Sequence, residues 1–436
     1  MIFDFLNIFK GFDSRQWQGN LQIGKRERFQ YSIFNQKGFA GIDSKITVQL
    51  SALTFSRVLI NTAVRMVYPF LPAFSRALGV PVESLVLLVS ARSALTISAP
   101  LFGGLSDRFG EQNVLYGALG IFLLGMSIVV ILPGFWSFVA VILLVTISKI
   151  IFDPAAYSFL GARIPYSRRG FFVGIYEISW SVSFFIGMPL IGWLMTFETD
   201  IAWLFPFIVL GVLGVFSLAA FWRVLPKYSK ETSQKQVSKA SRSKWKTFLT
   251  DFHVLAMLSI GLLLCMAQEN VLVILGIWLE KDFGLTLTAL GLSSLVIGIA
   301  ELAAEGGVIG LIDRWGKRST ILYGVFFSIF AYGMLPLIAS SVTGALIALF
   351  LVFFAFEFTF VATLPLVTEL VPNARSQVIS LYIALQWGGR SLGALLGGYL
   401  FDFGILWNGI LGAALNLTAF AILWIWVKEE SKWQNN

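Results

Sequence analysis

Apolar residues recur along the chain in runs of about twenty, the length that crosses the hydrocarbon core of a bilayer as a helix. Twelve such runs can be read, at roughly 51–74, 83–104, 112–132, 136–161, 170–196, 201–223, 252–279, 287–311, 318–339, 342–370, 375–401 and 405–427. Short turns separate them and carry helix breakers, as at Leu132-Pro133-Gly134, Arg163-Ile164-Pro165 and Val371-Pro372-Asn373. The pattern predicts an all-α membrane protein with twelve transmembrane helices. An N-terminal extension over 1–50, a basic linker over 225–250 and a tail over 428–436 fall outside it. The linker splits the runs into 51–224 and 251–427, so two pseudo-symmetric six-helix bundles are expected.

Orientation follows from the cations. Lys and Arg crowd into residues 1–50, the segment from Arg223 to Lys246, and the turns at Arg108, Arg163–Arg169 and Arg314–Arg318. The opposite loops carry only Arg76 and Lys281. The positive-inside rule then predicts a multi-pass protein of the cell membrane with both termini in the cytoplasm. Met1-Ile2-Phe3-Asp4-Phe5 lacks a basic start and no A-x-A-like cleavage site follows, so no cleavable leader is expected.

Composition agrees. Of 436 residues, 57% are apolar and 13% charged, against about 45–50% and 25% in soluble proteins. That leaves too little polar surface for an ordinary soluble enzyme. The single Cys (Cys265) and single His (His253) argue against a disulfide framework, a Cys- or His-ligated metal site and a Ser-His-Asp triad. No Gly-x-x-x-x-Gly-Lys-Ser/Thr element is present, which disfavours an ATP-driven pump. The net charge of +8 fits basic loops beside anionic lipid better than nucleic-acid binding.

The chain echoes itself. Gly104-Leu105-Ser106-Asp107-Arg108-Phe109-Gly110 follows the second run, and Gly310-Leu311-Ile312-Asp313-Arg314-Trp315-Gly316 follows the eighth, with the aspartates 206 residues apart. Pro165 and Pro372 are 207 apart, as are Trp180 and Trp387. An offset of 206 or 207 at three places indicates an internal repeat. These residues resemble the major facilitator superfamily, whose signature G-x-x-x-D-R-x-G reads here from Gly103 to Gly110. The first copy continues with Glu111-Gln112 where that family usually has basic residues. The second keeps Lys317-Arg318 but has Ile309 in place of the first glycine. The resemblance implies a gating role for Asp107, Arg108, Gly110, Asp313, Arg314 and Gly316. A carboxylate such as Asp107 would rest against the positive end of a helix from the other half and let go when the halves rock. The alternative is a tight turn with a solvated ion pair.

Ionisable groups inside membrane helices are costly and tend to face a cavity or a partner. Arg57 and Arg65 lie in the first run, Arg92 in the second, Lys149 and Asp153 in the fourth, and Glu177 in the fifth. Glu269 lies in the seventh, Glu301 and Glu305 in the eighth, Glu357 in the tenth and Arg390 in the eleventh. Runs three, six, nine and twelve have none in their interiors. In the superfamily fold every third helix faces lipid, and this charge map has the same period. By resemblance, Arg65, Lys149, Asp153, Glu269 and Glu357 are cavity candidates, and Arg92, Glu177, Glu301, Glu305 and Arg390 are coupling or gating candidates. Trp180 and Trp387 are candidates for an aromatic lining, with core packing as the alternative.

Burial raises a carboxyl pKa and a nearby cation lowers it, so a carboxylate that exchanges such neighbours loads and releases a proton. Glu269 and Glu357 have no cation within one helical turn of sequence and are the proton-carrier candidates. Lys149 and Asp153, four apart on one face, read either as a transport site or as a structural bridge. Glu301 and Glu305 share a face, where two close carboxylates disfavour double ionisation; alternatively each meets an Arg, with Arg390 a candidate. Pro69 and Pro72 are expected to kink or end the first helix.

Within the superfamily the chain looks nearest to the drug:proton antiporter branch. Gly187-Met188-Pro189-Leu190-Ile191-Gly192 partly matches its Gly-Pro-rich element, whereas Lys149 and Asp153-Pro154 replace its Arg and Gly-rich stretch. Residues 223–231 lack the sugar-porter element. The expected function is secondary transport by alternating access, as proton-coupled efflux of a drug or metabolite. A proton-coupled metabolite symporter, and a membrane sensor or lipid-handling protein on the same fold, remain open. No cofactor is expected beyond a proton gradient, and the expected partners are a small-molecule substrate and the bilayer, for a monomer.

Overall fold

A computed structural model describes residues 44–102, 104–164, 169–225, 251–371 and 375–427. The extension up to residue 43, the linker from 226 and the tail from 428 lie outside the described residues, as do Gly103, Pro165, Pro372 and the side chain of Asp107. The described regular elements are all helical. In chain order they begin α1 (Ser44–Arg65), α2 (Val67–Leu78), α3 (Val82–Thr96), α4 (Ala99–Phe102), α5 (Leu105–Phe109), α6 (Glu111–Ile131) and α7 (Phe135–Arg163). Next come α8 (Arg169–Val182), a π-helical turn (Ser183–Gly187), α9 (Met188–Leu194) and α10 (Phe205–Val224). After the linker follow α11 (Phe252–Leu272), α12 (Leu275–Phe283), α13 (Leu287–Trp315), α14 (Lys317–Ile338), α15 (Val342–Glu369), α16 (Arg375–Phe401) and α17 (Ile405–Trp426).

Nine spans among the described residues are long and apolar enough to cross a membrane, counting Gly174–Leu194 and Phe252–Phe283 (α11 with α12) as one each. The bent pair α1–α2 makes a tenth. This is fewer than the twelve runs of the sequence, for a physical reason. α3 has only 15 residues before the chain breaks at Ile97-Ser98, and α16 is diluted by Gln386, Arg390 and several glycines. The protein is a multi-pass, all-α membrane protein.

The first run bends by 53° between α1 and α2. Pro69 is the cause: it offers no N–H to the carbonyl of Arg65, four residues back, and its ring crowds that carbonyl. The break therefore falls at Met66 rather than at the prolines, and the helix resumes through Pro72 to Leu78. The seventh run breaks likewise at Val273-Ile274, about 207 residues later.

Other repeat positions also share backbone. Gly110 (φ 81°, ψ 141°) and Gly316 (φ 80°, ψ 152°) open α6 and α14 in one left-handed conformation that a Cβ would strain. An ion pair recurs there with its charges exchanged. Arg163 Nη1 donates to Glu111 Oε2 at 3.0 Å, tying the end of α7 to the start of α6. Lys317 Nζ donates to both Glu369 oxygens at 2.5 and 2.6 Å, tying α14 to the end of α15. Residues 111 and 317 are 206 apart, as are 163 and 369. Glu111 thus replaces a basic residue without losing the tie.

α6, α10, α14 and α17 have no charged residue in their interiors and leave apolar side chains exposed, among them Leu124, Phe216, Phe330 and Leu417. Lipid is the medium these surfaces suit. The helices before and after the linker meet at several places, three of which show how closely they approach. α2 packs on α12, α9 on α13 and α3 on α16. Small residues permit each approach: a Cβ on Gly276 would lie 2.2 Å from the Pro69 carbonyl oxygen, and one on Gly291 2.6 Å from that of Met188. At the third crossing Ser90 and Ser391 exchange hydrogen bonds, each hydroxyl donating to the other's carbonyl at 2.9 and 3.0 Å.

Candidate functional site

A cavity of about 430 Å³ lies among α1, α3, α4, α7 and α16. Its wall includes Arg92, Thr146, Lys149, Asp153, Tyr157 and Trp387. Thr146, Lys149 and Arg92 are buried, while Pro100 and Ile383 are exposed, so the cavity widens toward the end that bears the Gly-Asp-Arg turns. The opposite end is sealed. There α2 presses on α12 and α9 on α13, and Arg76 is ion-paired with Glu280 across the first of these contacts.

Helical spacing assembles the charges around the cavity. Arg57, Asn61 and Arg65 recur at intervals of four on α1, as do Lys149, Asp153 and Tyr157 on α7, so each trio shares a face. Arg57 Nε donates to Asp153 Oδ1 at 3.1 Å, and its Nη1 to Glu177 Oε2 at 2.9 Å. Lys149 Nζ donates to Asp153 Oδ2 at 2.8 Å and to Asn61 Oδ1 at 2.7 Å. Tyr157 accepts from Arg57 Nη2 at 3.1 Å and donates to Glu177. Two cations and two carboxylates thus close into one network.

A second centre bridges the chain before and after the linker. Arg65 donates to both Glu301 oxygens, at 3.1 and 2.5 Å, with 1% and 2% of the two side chains exposed. The guanidinium also donates to the Trp180 carbonyl at 2.9 Å and stacks over the Trp180 and Phe184 rings at 4.2 and 3.5 Å. In the third centre Arg390 Nη1 donates to Glu269 Oε2 at 2.9 Å and to Gln268 Oε1 at 2.5 Å. Tyr68 donates to Glu269 Oε1 at 2.5 Å.

The structure sorts the sequence candidates. Lys149, Asp153, Arg92 and Trp387 line the cavity, whereas Arg65, Glu269, Glu357 and Trp180 are absent from its wall. Trp180 lies against Arg65 and Lys149. Glu269, expected without a cation, receives one from Arg390. The α16 helix supplies it, which spacing along α11 could not reveal. Glu301 meets Arg65 instead of Arg390. Glu305 accepts a hydrogen bond from Ser181 at 3.4 Å. Glu357 is buried with no hydrogen bond or ion pair among the described residues, and Glu301, Glu305, Arg65 and Arg390 are the charges facing it. Arg108 is exposed and lies over the Phe109 ring at 5.2 Å, and Asp313 and Arg314 are exposed with no ion pair among the described residues. Sequence reasoning placed Arg57 in the first run but missed that it organises the first network. It also missed Tyr68, Tyr157, Asn61 and Gln268. Their spacing of four from charged neighbours was the available signal for Asn61 and Tyr157.

The family model for the Major Facilitator Superfamily matches residues 53–390 and 311–436. The chain belongs to that superfamily. It is 23% identical over 349 residues to the MFS-type transporter YceJ of Bacillus subtilis (strain 168), spanning 79% of this chain and 87% of the relative. It is 26% identical over 367 residues to the multidrug resistance protein MdtG of Proteus mirabilis (strain HI4320), again spanning 79% and 87%. Its fold is similar to that of a bacterial homolog of the human lysosomal transporter Spinster, with a TM-score of 0.71, 13% identity, and coverage of 88% of this chain and 97% of that one. Membership makes the protein a membrane-embedded secondary transporter working by alternating access, with a transport function and no catalytic one. Among the described residues no His, Cys, Asp and Glu cluster could hold a metal ion.

Proposed function

We propose that this transporter moves a small amphipathic compound in exchange for protons, with export as its direction. The observation that carries the reading is the pairing pattern in the membrane interior. Arg57, Lys149, Asp153 and Glu177 neutralise one another, Arg65 takes Glu301, and Arg390 takes Glu269. Glu305 and Glu357 are left without a cation partner among the described residues. A carboxyl group in that position gains more from carrying a proton than one already locked to an arginine. Glu357 is therefore the proton carrier, with Glu305 as its relay, and Glu269 is a positioning residue. The multidrug resistance name of the MdtG relatives supports export of an amphipathic compound.

The topology read from sequence belongs to the same proposal. α3–α4 and α16 supply the two spans that length and hydropathy alone do not identify, which completes twelve in two six-helix halves, 51–224 and 251–427. The Gly-Asp-Arg turns and both termini then lie in the cytoplasm, and the cavity opens inward. The duplicated glycine conformations and charge-exchanged ion pairs support this reading.

The test uses proteoliposomes loaded with a pH-sensitive dye and challenged with a panel of amphipathic compounds. Compound movement is expected to follow an imposed pH gradient, to move protons the opposite way, and to stop with an uncoupler. Glu357→Gln is expected to abolish gradient-driven movement and preserve compound counterflow. Gradient-driven movement unchanged in this variant would remove Glu357 from the mechanism.

A further inference from the structure

Arg92 stands apart from the other interior cations. It is 2% exposed and forms part of the cavity wall. Its Nη1 donates to the Val64 carbonyl at 2.5 Å, and its guanidinium lies over the Tyr68 ring at 4.9 Å. Its Nη2 is buried with no acceptor, and among the described residues that line the cavity Arg92 alone has such an atom. Arginine stays charged at any physiological pH and carries five N–H donors. A buried charged donor left unsatisfied is unfavourable, and its natural complement is an anion that accepts two parallel hydrogen bonds.

Among the described residues, the carboxylates of the cavity wall, of its charge network and of the Tyr68 contact are already held. Asp153, the acid in the cavity wall, has one oxygen bound to Arg57 and the other to Lys149. Glu177 is held by Arg57 and Tyr157. Glu269, on the far side of Tyr68, is held by Arg390 and Tyr68 itself. The Arg57, Lys149, Asp153 and Glu177 network sums to zero charge, so the cavity keeps the single positive charge of Arg92. Around it the wall is apolar and aromatic, with Val64, Ile150, Ile383 and Trp387.

We propose that Arg92 is the substrate's anchor and that the substrate is a small organic anion with a carboxylate, sulfonate or phosphate at one end and an apolar or aromatic body. The acidic group lies on the Arg92 guanidinium and the body against Trp387 and Ile383. This rests on the transport reading above and narrows its amphipathic compound to one charge class. It also separates the two roles: the substrate's negative charge meets Arg92 before the linker, and the proton resides on Glu357 after it.

The test measures binding rather than transport, so the two readings fail separately. The purified full chain is screened by thermal shift against matched sets: aromatic and aliphatic carboxylates and sulfonates, the corresponding amides and alcohols, and the corresponding amines. Sodium sulfate serves as an inorganic control. Stabilising compounds are expected to come from the organic anions. Arg92→Gln is expected to weaken them about tenfold or more, since hydrogen bonds to a charged group are lost. Arg92→Lys, which keeps the charge and guards against misfolding, is expected to retain weakened anion binding. Stabilisation drawn equally or preferentially from amides, alcohols or amines would overturn the assignment, as would no shift with any organic anion, or sulfate matching the best of them. Anion binding without gradient-driven movement would leave this assignment standing and sink the transport coupling instead.

Discussion

Arg65 and Glu301 hold each other in an environment almost closed to water, so removing one leaves the other as an unpaired buried charge. Glu301→Gln is expected to destabilise the protein by about 3–5 kcal/mol, the cost typical of breaking such a pair. The double variant Arg65→Gln, Glu301→Gln is expected to regain most of that, as read by thermal unfolding in detergent. A double variant no more stable than the single one would show that the two do not act as a unit. At this scale the sequence is half legible. It says which helices bear charge and that Lys149 and Asp153 share a face. It does not say that Arg57 reaches Asp153 from another helix, that Arg390 chooses Glu269, or that Arg65 crosses to Glu301. Those choices depend on helix rotation and tilt, which helical periodicity leaves free.

Between helices, the sealed end depends on glycine. A methyl group on Gly276 would sit 2.2 Å from the Pro69 carbonyl oxygen, well inside van der Waals contact, so Gly276→Ala must push α12 from α2. The expected outcome is faster thiol labelling of a cysteine placed at Arg76 than in the same cysteine variant with Gly276 intact. The charge-exchanged ties make a second prediction. Glu111→Lys and Arg163→Glu are each expected to lower stability slightly, and the pair together to restore it, by about 0.2–1 kcal/mol because the site is partly exposed. If the combined variant is the least stable of the three, Glu111 and Arg163 are not repeat equivalents of Lys317 and Glu369. The sequence announces the repeat through its constant offset and the bend through Pro69. It places the bend a few residues late, because proline acts on the carbonyl four positions earlier. It also cannot separate α3 and α16 from weaker apolar runs by length and hydropathy, since both are shortened or diluted at the positions that meet across the linker.

For the whole molecule, the arrangement is a cavity open at one end and shut at the other, with ion pairs on each side of the linker and two, Arg65–Glu301 and Arg76–Glu280, running between the sides. Arg65–Glu301 and Tyr68–Glu269 join those sides, and on the transport reading proposed above they are expected to rearrange when the open end closes. Transport by alternation therefore requires the Arg76–Glu280 end to part in each cycle. The most direct measurement places cysteines at positions 76 and 280 and joins them with a short, reducible bis-thiosulfonate linker in proteoliposomes. Cys265, the one native cysteine, is buried and leaves the background low. Cross-linking is expected to abolish compound movement, including counterflow, and reduction is expected to restore it. Undiminished movement with the linker in place would contradict alternating access through this end of the molecule.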